Sequence, residues 1–223
     1  MSETRTIVVC ITGASGSRYA KRTLELLASL RASPEFDQPL TVHWVASSNA
    51  ALVWSQELDQ AMPAEFPGLH RWKRRNFMAP FASGSSAPDA VLVMPCSMTT
   101  LARVANGGGD DLISRACEVA LKERKRLILV ARETPLSLVH LRNMVSATEA
   151  GAIVLPAVPS FYGAVRTLDQ AIDTVVVRAL DRAGVRVPPG LIERWGQPTA
   201  AASKPTATAA SASTPSAPAS SST

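Results

Sequence analysis

The chain has 223 residues, of which 46% are hydrophobic and 5% aromatic, and its formal net charge is +5. The length suits a single α/β domain, and the mild charge is not that of a nucleic-acid-binding protein. No apolar run reaches the roughly 18 residues that a membrane span requires. Because the N-terminal residues also lack a signal-peptide layout, we expect a cytoplasmic protein with no nucleic-acid or membrane partner.

The first half of the chain alternates short apolar runs with helix-like segments. In chain order, the pattern predicts strand 6–11, helix 19–30, strand 40–46 and helix 50–58. Residues 62–88 are rich in Pro, Gly and Ser and have no clear period, so we predict an irregular segment there.

The second half continues the alternation. The predicted elements are strand 90–94 ended by Pro95, helix 97–105, helix 110–124, strand 127–131, helix 136–149, strand 152–155 and helix 168–183. This order predicts right-handed βαβ units and an α/β fold: an open, doubly wound, mostly parallel sheet of the Rossmann or flavodoxin-like kind, with helices on both faces. Residues 198–223 contain only Pro, Thr, Ala, Ser and one Lys, so we predict a domain at 1–197 and a disordered tail at 198–223.

The cysteines do not indicate a metal site. Cys10, Cys96 and Cys117 form no CxxC pair and no Cys/His cluster, so we expect neither a zinc site nor a disulfide framework. No histidine follows Cys96 at a useful spacing, which favours a buried structural thiol over a nucleophile.

Polar and glycine residues gather at the carboxyl ends of the predicted strands. They are Gly13–Gly16, Ser47, Cys96–Thr100 and Arg132–Pro135. Each group precedes a predicted helix, whose free N–H groups can face an anion, and ligands of open parallel sheets bind at this edge. The pattern therefore predicts a cofactor that carries phosphate. The turn after the first strand lacks the third glycine of the dinucleotide fingerprint, which favours a mononucleotide such as FMN.

Several longer motifs occur in a fixed order. They are Ile11–Gly16, Ser83–Ser85, Met94–Leu101, Asp111–Ala116, Leu121–Arg124, Arg132–Leu136 and Pro159–Tyr162. Over about residues 6–195 the set resembles the UbiX family of flavin prenyltransferases, which make prenylated FMN for UbiD-type decarboxylases. The resemblance implies reduced FMN as prenyl acceptor, dimethylallyl monophosphate as donor, and a homo-oligomer, since the family usually forms dodecamers.

The resemblance also implies roles for individual residues. FMN-binding positions are Gly13, Ala14, Ser15, Ser47, Ser97, Met98, Thr99, Thr100 and Arg132, with Ser48 in place of Ser47 if the alignment shifts by one residue. Tyr162 and Arg178 match positions that bind the prenyl phosphate. Further active-site positions are Arg115, which we assign to substrate binding, the candidate catalytic residues Glu57, Lys122 and Glu133, and Trp195, a late aromatic near the site.

These residue types suit prenyl transfer from a phosphate ester. Arg115, Lys122 and Arg178 could offset the charge of the departing phosphate, and Glu133 could carry a proton. The only adjacent Asp pair is Asp110–Asp111, without the DDxxD pattern by which diphosphate-using enzymes bind Mg²⁺, so we expect a metal-independent reaction.

The chain departs from the family pattern in two places. Gly163–Arg166 replaces the usual His, basic residue and Pro after Tyr162, and Asp111 replaces the usual Asn. The first departure keeps open a non-catalytic FMN carrier or accessory subunit of a decarboxylase. A Cys-decarboxylase-like flavoprotein is a second alternative, although the histidine expected on an early helix of that class is absent.

Overall fold

The computed structural model describes residues 4–161 and 165–192. Predictions that concern Tyr162, Trp195 and the tail at 198–223 therefore lie outside the described residues. The elements are β1 (Arg5–Ile11), α1 (Ser17–Ala32), β2 (Leu40–Ala46), α2 (Ser48–Leu58), β3 (His70–Trp72), β4 (Ala90–Cys96), α3 (Met98–Ala105), α4 (Leu112–Lys122), β5 (Arg126–Ala131), α5 (Leu138–Glu149), β6 (Ile153–Pro156) and α6 (Leu168–Ala183).

The six strands form one parallel sheet in the order β3-β2-β1-β4-β5-β6. From β1, strands β2 and β3 are added toward one edge of the sheet, and from β4, strands β5 and β6 are added toward the other edge. The strand order therefore reverses between β1 and β4. The predicted doubly wound fold is confirmed. In such sheets ligands bind at the carboxyl edge, beside this reversal.

Each face of the sheet carries its own apolar core. Alternate β1 residues point to opposite faces, with Ile7 and Val9 on one and Val8 and Cys10 on the other. The first core packs under α1, α2 and α6, and the second under α3, α4 and α5. The continuous apolar runs of the strands are explained by this two-sided burial.

Two predictions about the strands were wrong. The segment 62–88 contains β3, an edge strand of three residues paired with β2, and two short 3-10 helices at Pro80–Ala82 and Gly84–Ser86. Strand β4 does not end at Pro95 but runs to Cys96, with a shift in its pairing to β5 between Val93 and Cys96. Pro95 has no N–H to donate and lies where the regular pairing with β5 is interrupted, which is where a strand tolerates proline. Its carbonyl accepts hydrogen bonds from the N–H and the hydroxyl of Thr12.

Within the described residues, we find no helix that is both long enough and apolar enough to span a membrane.

Candidate active site

The turn after β1 lies directly against the start of α2. A Cβ on Gly13 would fall 2.6 Å from the Asn49 Cβ, so only glycine lets the two backbones approach this closely. The Ser47 N–H donates to the Ile11 carbonyl (2.9 Å), and the Ser47 side chain accepts from the Ala50 N–H to cap α2. The carboxyl ends of β1 and β2 are thereby fixed side by side.

Thr12 joins this turn to β4 across the strand-order reversal. Its hydroxyl donates to the Pro95 carbonyl (2.7 Å) and accepts from the Ser97 N–H (2.8 Å). Ser97 in turn caps α3, where its hydroxyl lies 3.3 Å from the Thr100 nitrogen. Buried Thr12 therefore positions the first turn of α3, although it was not among the predicted site residues.

A polar cavity of about 380 Å³ opens at this edge. The N-termini of three helices line it: α2 after Ser47, α3 after Ser97, and α4, which Asp111 caps by accepting from the Ser114 N–H (2.9 Å). Three helix N-termini directed at one space favour a bound anion. The residues Gly13, Ser47, Ser97, Thr99 and Thr100, all predicted to bind FMN, share this lining.

The N-terminus of α1 is occupied by Glu57. Its carboxylate accepts from the N–H groups of Gly16 (3.0 Å) and Ser17 (2.7 Å). Partial burial alone would raise the pKa of Glu57, but hydrogen bonds from Ser15, Gly16 and Ser17 outweigh it and lower that pKa. Glu57 is therefore held ionised beside the predicted flavin turn, where it positions that turn.

Arg132, at the end of β5, reaches the same turn. Its Nε donates to the Ser15 carbonyl (3.0 Å), which brings two predicted cofactor residues into contact. Burial raises the pKa of nearby Tyr19, and the positive charge of Arg132 opposes that rise. Glu133, the predicted general acid or base, is the next residue and therefore lies at the same edge of the sheet. Its side chain is exposed.

Arg115 and Lys122 lie outside this cavity. Both line a second cavity of about 390 Å³ between α3 and α4, and Arg115 also donates to the Ala82 carbonyl (2.9 Å). Helix α4 begins at the main cavity and runs away from it, so Lys122, ten residues beyond Leu112, is displaced by roughly 15 Å along the helix. The chain does not bring these cations to its own cofactor turn.

Arg178, on α6, also lies outside the lining of the main cavity. It is exposed and lies ten residues beyond the first residue of α6, whose C-terminus lies near Arg5 and Arg126, at the amino ends of the strands. Tyr162 lies outside the described residues. Most of the predicted cofactor residues therefore lie at the main cavity or in the Arg132–Ser15 contact, whereas Ala14 and the core residue Met98 are not part of the cavity lining. The predicted phosphate-binding cations do not converge within one chain.

Two arginines of the main cavity, Arg74 and Arg103, were not among the predicted site residues. Arg74 belongs to the segment predicted to be irregular, and its ion-pair partner Asp111 is 37 residues away. The interpretation of Cys96 as a structural thiol agrees with its full burial, which raises its pKa to about 12.

The fold and the cavity together define a mononucleotide-binding α/β protein, and comparisons with known proteins agree. The model of the family described as Flavoprotein matches residues 1–180. A flavin prenyltransferase UbiX from Pseudomonas aeruginosa is 39% identical over 212 residues, covering 88% of this chain and 97% of that protein.

Solved structures give the same result. The crystal structure of AnUbiX (PadA1) in complex with FMN and dimethylallyl pyrophosphate matches with a TM-score of 0.75 at 39% identity, over 87% of this chain and 99% of that one. A dodecameric FMN-dependent UbiX-like decarboxylase from Escherichia coli O157:H7 matches with a TM-score of 0.73 at 32% identity, over 86% and 100%. The chain belongs to the UbiX family of flavin prenyltransferases.

Proposed function

We propose that this protein transfers a dimethylallyl group from dimethylallyl phosphate to reduced FMN. The observation that carries the proposal is the polar cavity where three helix N-termini converge beside the contact between Arg132 and Ser15. A phosphate fits the helix N-termini, and the rest of the flavin can extend along the turn of Gly13.

The residues present fit FMN. Gly13 leaves no side chain between the turn and α2, and Ser97 and Thr100 offer hydroxyls at the cavity wall. Arg132, anchored on Ser15, would be one of the residues that hold the flavin, since its guanidinium keeps further N–H donors. Reduced FMN would supply the electron-rich ring atoms that accept the prenyl group.

The departing phosphate requires cations, because the C–O bond breaks with its electron pair on oxygen. Arg115, in the first turn of α4, and Lys122, at its C-terminal end, both line the second cavity of their own chain and not the main one. We therefore propose that they serve the site of a neighbouring copy in a homo-oligomer. Arg178 and Tyr162 are proposed to bind the donor phosphate.

Proton transfer is assigned to Glu133. Its exposed carboxylate lies next to Arg132 at the carboxyl edge, where it can exchange a proton with bound ligands. The product is proposed to serve UbiD-type decarboxylases.

The test is prenylation with purified components. The protein would be mixed under anaerobic conditions with FMN, a chemical reductant and either dimethylallyl monophosphate or diphosphate, and the extracted flavin analysed by mass spectrometry. We expect a mass gain of one C5H8 unit with the monophosphate. Recovery of unmodified FMN with both donors would contradict the proposal and favour a flavin carrier.

A further inference from the structure

The lining of the main cavity contains an ion pair between buried Asp111 and Arg74, whose side chain is 30% exposed. Asp111 is only 5% exposed; its Oδ1 accepts from the Ser114 N–H (2.9 Å) and its Oδ2 lies 3.2 Å from the Arg74 Nη1. The backbone reinforces this contact, because the Leu112 N–H donates to the Arg74 carbonyl (2.8 Å). Arg74 is thus fixed to the first turn of α4 at two points.

A carboxylate at this place is unfavourable for an anion-binding cavity. The N-termini of α2 and α3 open into the same space and attract negative charge, whereas Asp111 repels it. Helix capping alone does not require the charge, since an Asn side chain accepts the same hydrogen bond from Ser114. The guanidinium of Arg74 cancels the charge at short range.

A second cation lies on the lining from α3. Arg103 is exposed, and within residues 4–161 and 165–192 its guanidinium has no hydrogen bond or ion pair. With Arg74 paired to Asp111, the net charge of the lining side chains is positive. Without Arg74, Asp111 would cancel Arg103, and the cavity would depend on helix dipoles alone.

We propose that Arg74 is a positioning residue for phosphate recognition, which keeps the cavity selective for FMN over riboflavin by neutralising Asp111. This inference rests on the proposed function, because the phosphate is taken to be that of FMN. Arg74, a side chain outside the predicted site, would thereby help to determine which flavin binds.

The test changes the charge of the pair one unit at a time. Arg74→Gln leaves the pair negative, Arg74→Gln/Asp111→Asn leaves it neutral as in the wild type, and Asp111→Asn leaves it positive. Dissociation constants for FMN and riboflavin would be measured by flavin fluorescence at low and high salt. We expect FMN affinity to follow the charge of the pair, with about a tenfold change per unit that shrinks at high salt, and riboflavin affinity to stay constant.

Arg75→Gln is the matched control. The neighbouring pair of Arg75 and Asp110 is exposed at both ends, 67% for each side chain, so we expect no change for either flavin. Arg74→Lys keeps the charge and should bind FMN as the wild type does. If Arg74→Gln fails to fold, Asp111→Asn and the double variant still must differ about tenfold for FMN alone.

Three outcomes would overturn the inference. Parallel losses for FMN and riboflavin would indicate a structural role, and failure of Asp111→Asn to restore binding to Arg74→Gln would exclude charge cancellation. If the charge variants changed the KM for dimethylallyl phosphate but not the affinity for FMN, the pair of Arg74 and Asp111 would act on the donor phosphate instead. If the wild type bound neither flavin, the proposed function itself would fail, which is a separate result.

Discussion

At the end of β5, Glu133 and Arg132 are neighbours in the chain but have different contacts. Arg132 is anchored on the Ser15 carbonyl, whereas the Glu133 carboxylate is exposed and accepts only from the Thr134 N–H (3.0 Å) among the described residues. The contact of Arg132 with the turn suits cofactor binding, and the exposed carboxylate of Glu133 at the carboxyl edge of the sheet suits proton transfer.

Replacing Glu133 by Gln separates these roles. Gln keeps the size but cannot carry a proton, so we expect FMN to bind normally while product formation falls by about 10²–10⁴-fold. Single turnovers of reduced FMN, followed by mass spectrometry, measure the chemical step. Arg178→Ala is the comparison and should raise the KM for the prenyl phosphate instead. An unchanged single-turnover rate in Glu133→Gln would exclude the proton-transfer role.

At the scale of elements, the close approach between the β1 turn and α2 can be tested with a single methyl group. Gly13→Ala places a Cβ 2.6 Å from the Asn49 Cβ, so α2 must shift. We expect FMN content to fall sharply and the free energy of unfolding to drop by about 1–3 kcal/mol. Gly108→Ala is the control, because a Cβ there has no neighbour within 4 Å. Equal flavin content in the two variants would show that this packing does not shape the site.

The edge strand β3 pairs with β2 and is also held there by a side-chain hydrogen bond that requires a neutral histidine. His43 on β2 accepts from the Trp72 Nε1 (3.1 Å), a bond that protonation of its Nδ1 would remove. Burial, helped by the adjacent His70, lowers the pKa of His43 to about 4. The unfolded chain binds this proton near pH 6.5 and the folded chain only near pH 4. His43 therefore contributes stability above pH 6.5 that is lost as the pH falls toward 4.

We expect His43→Gln to flatten that dependence. Urea unfolding of the wild type and the variant between pH 7 and pH 4 gives both slopes. The slope of the wild type should be steeper by up to about 1.4 kcal/mol per pH unit, the value for one proton. Parallel slopes would mean that His43 titrates alike in both states.

The elements that could be predicted are those with a strong local pattern. Buried strands such as β2 stand out as continuous apolar runs, and α6 has a clear apolar stripe between the capping residue Thr167 and Gly184. Strand β3 has three residues, two of them exposed, so no hydrophobic pattern marks it. Arg74 could not be placed in the site because its role depends on a contact 37 residues away.

At the scale of the whole molecule, one face of α5 is apolar and exposed. Leu138, Leu141 and Val145 lie on it at helical spacing, with exposed fractions of 60%, 46% and 57%. Such a face fits the proposed homo-oligomer, in which another copy would cover it. We expect Val145→Asp to reduce the mass measured by light scattering, and Ser146→Asp, on the adjacent polar face, to leave it unchanged. If the Val145→Asp variant still assembled fully, α5 would not be part of the interface.

The assembly also decides whether a site is shared between copies. Glu133 lies at the cofactor edge of its own chain, whereas Lys122 lies at the opposite end of α4, in the second cavity. If each site combines Glu133 of one chain with Lys122 of another, two inactive variants can complement each other. Lys122→Ala and Glu133→Gln would be purified separately, and then co-expressed with distinct tags and purified through both.

Random mixing at a shared site leaves both residues intact in roughly a quarter of the sites. We therefore expect the co-expressed oligomer to recover about that fraction of wild-type prenylation, although each variant alone is nearly inactive. If both residues instead served the site of their own chain, every site would lack one of them and mixing would restore nothing. A control that co-expresses two tagged copies of Lys122→Ala should stay inactive in either case, because no subunit then carries the lysine.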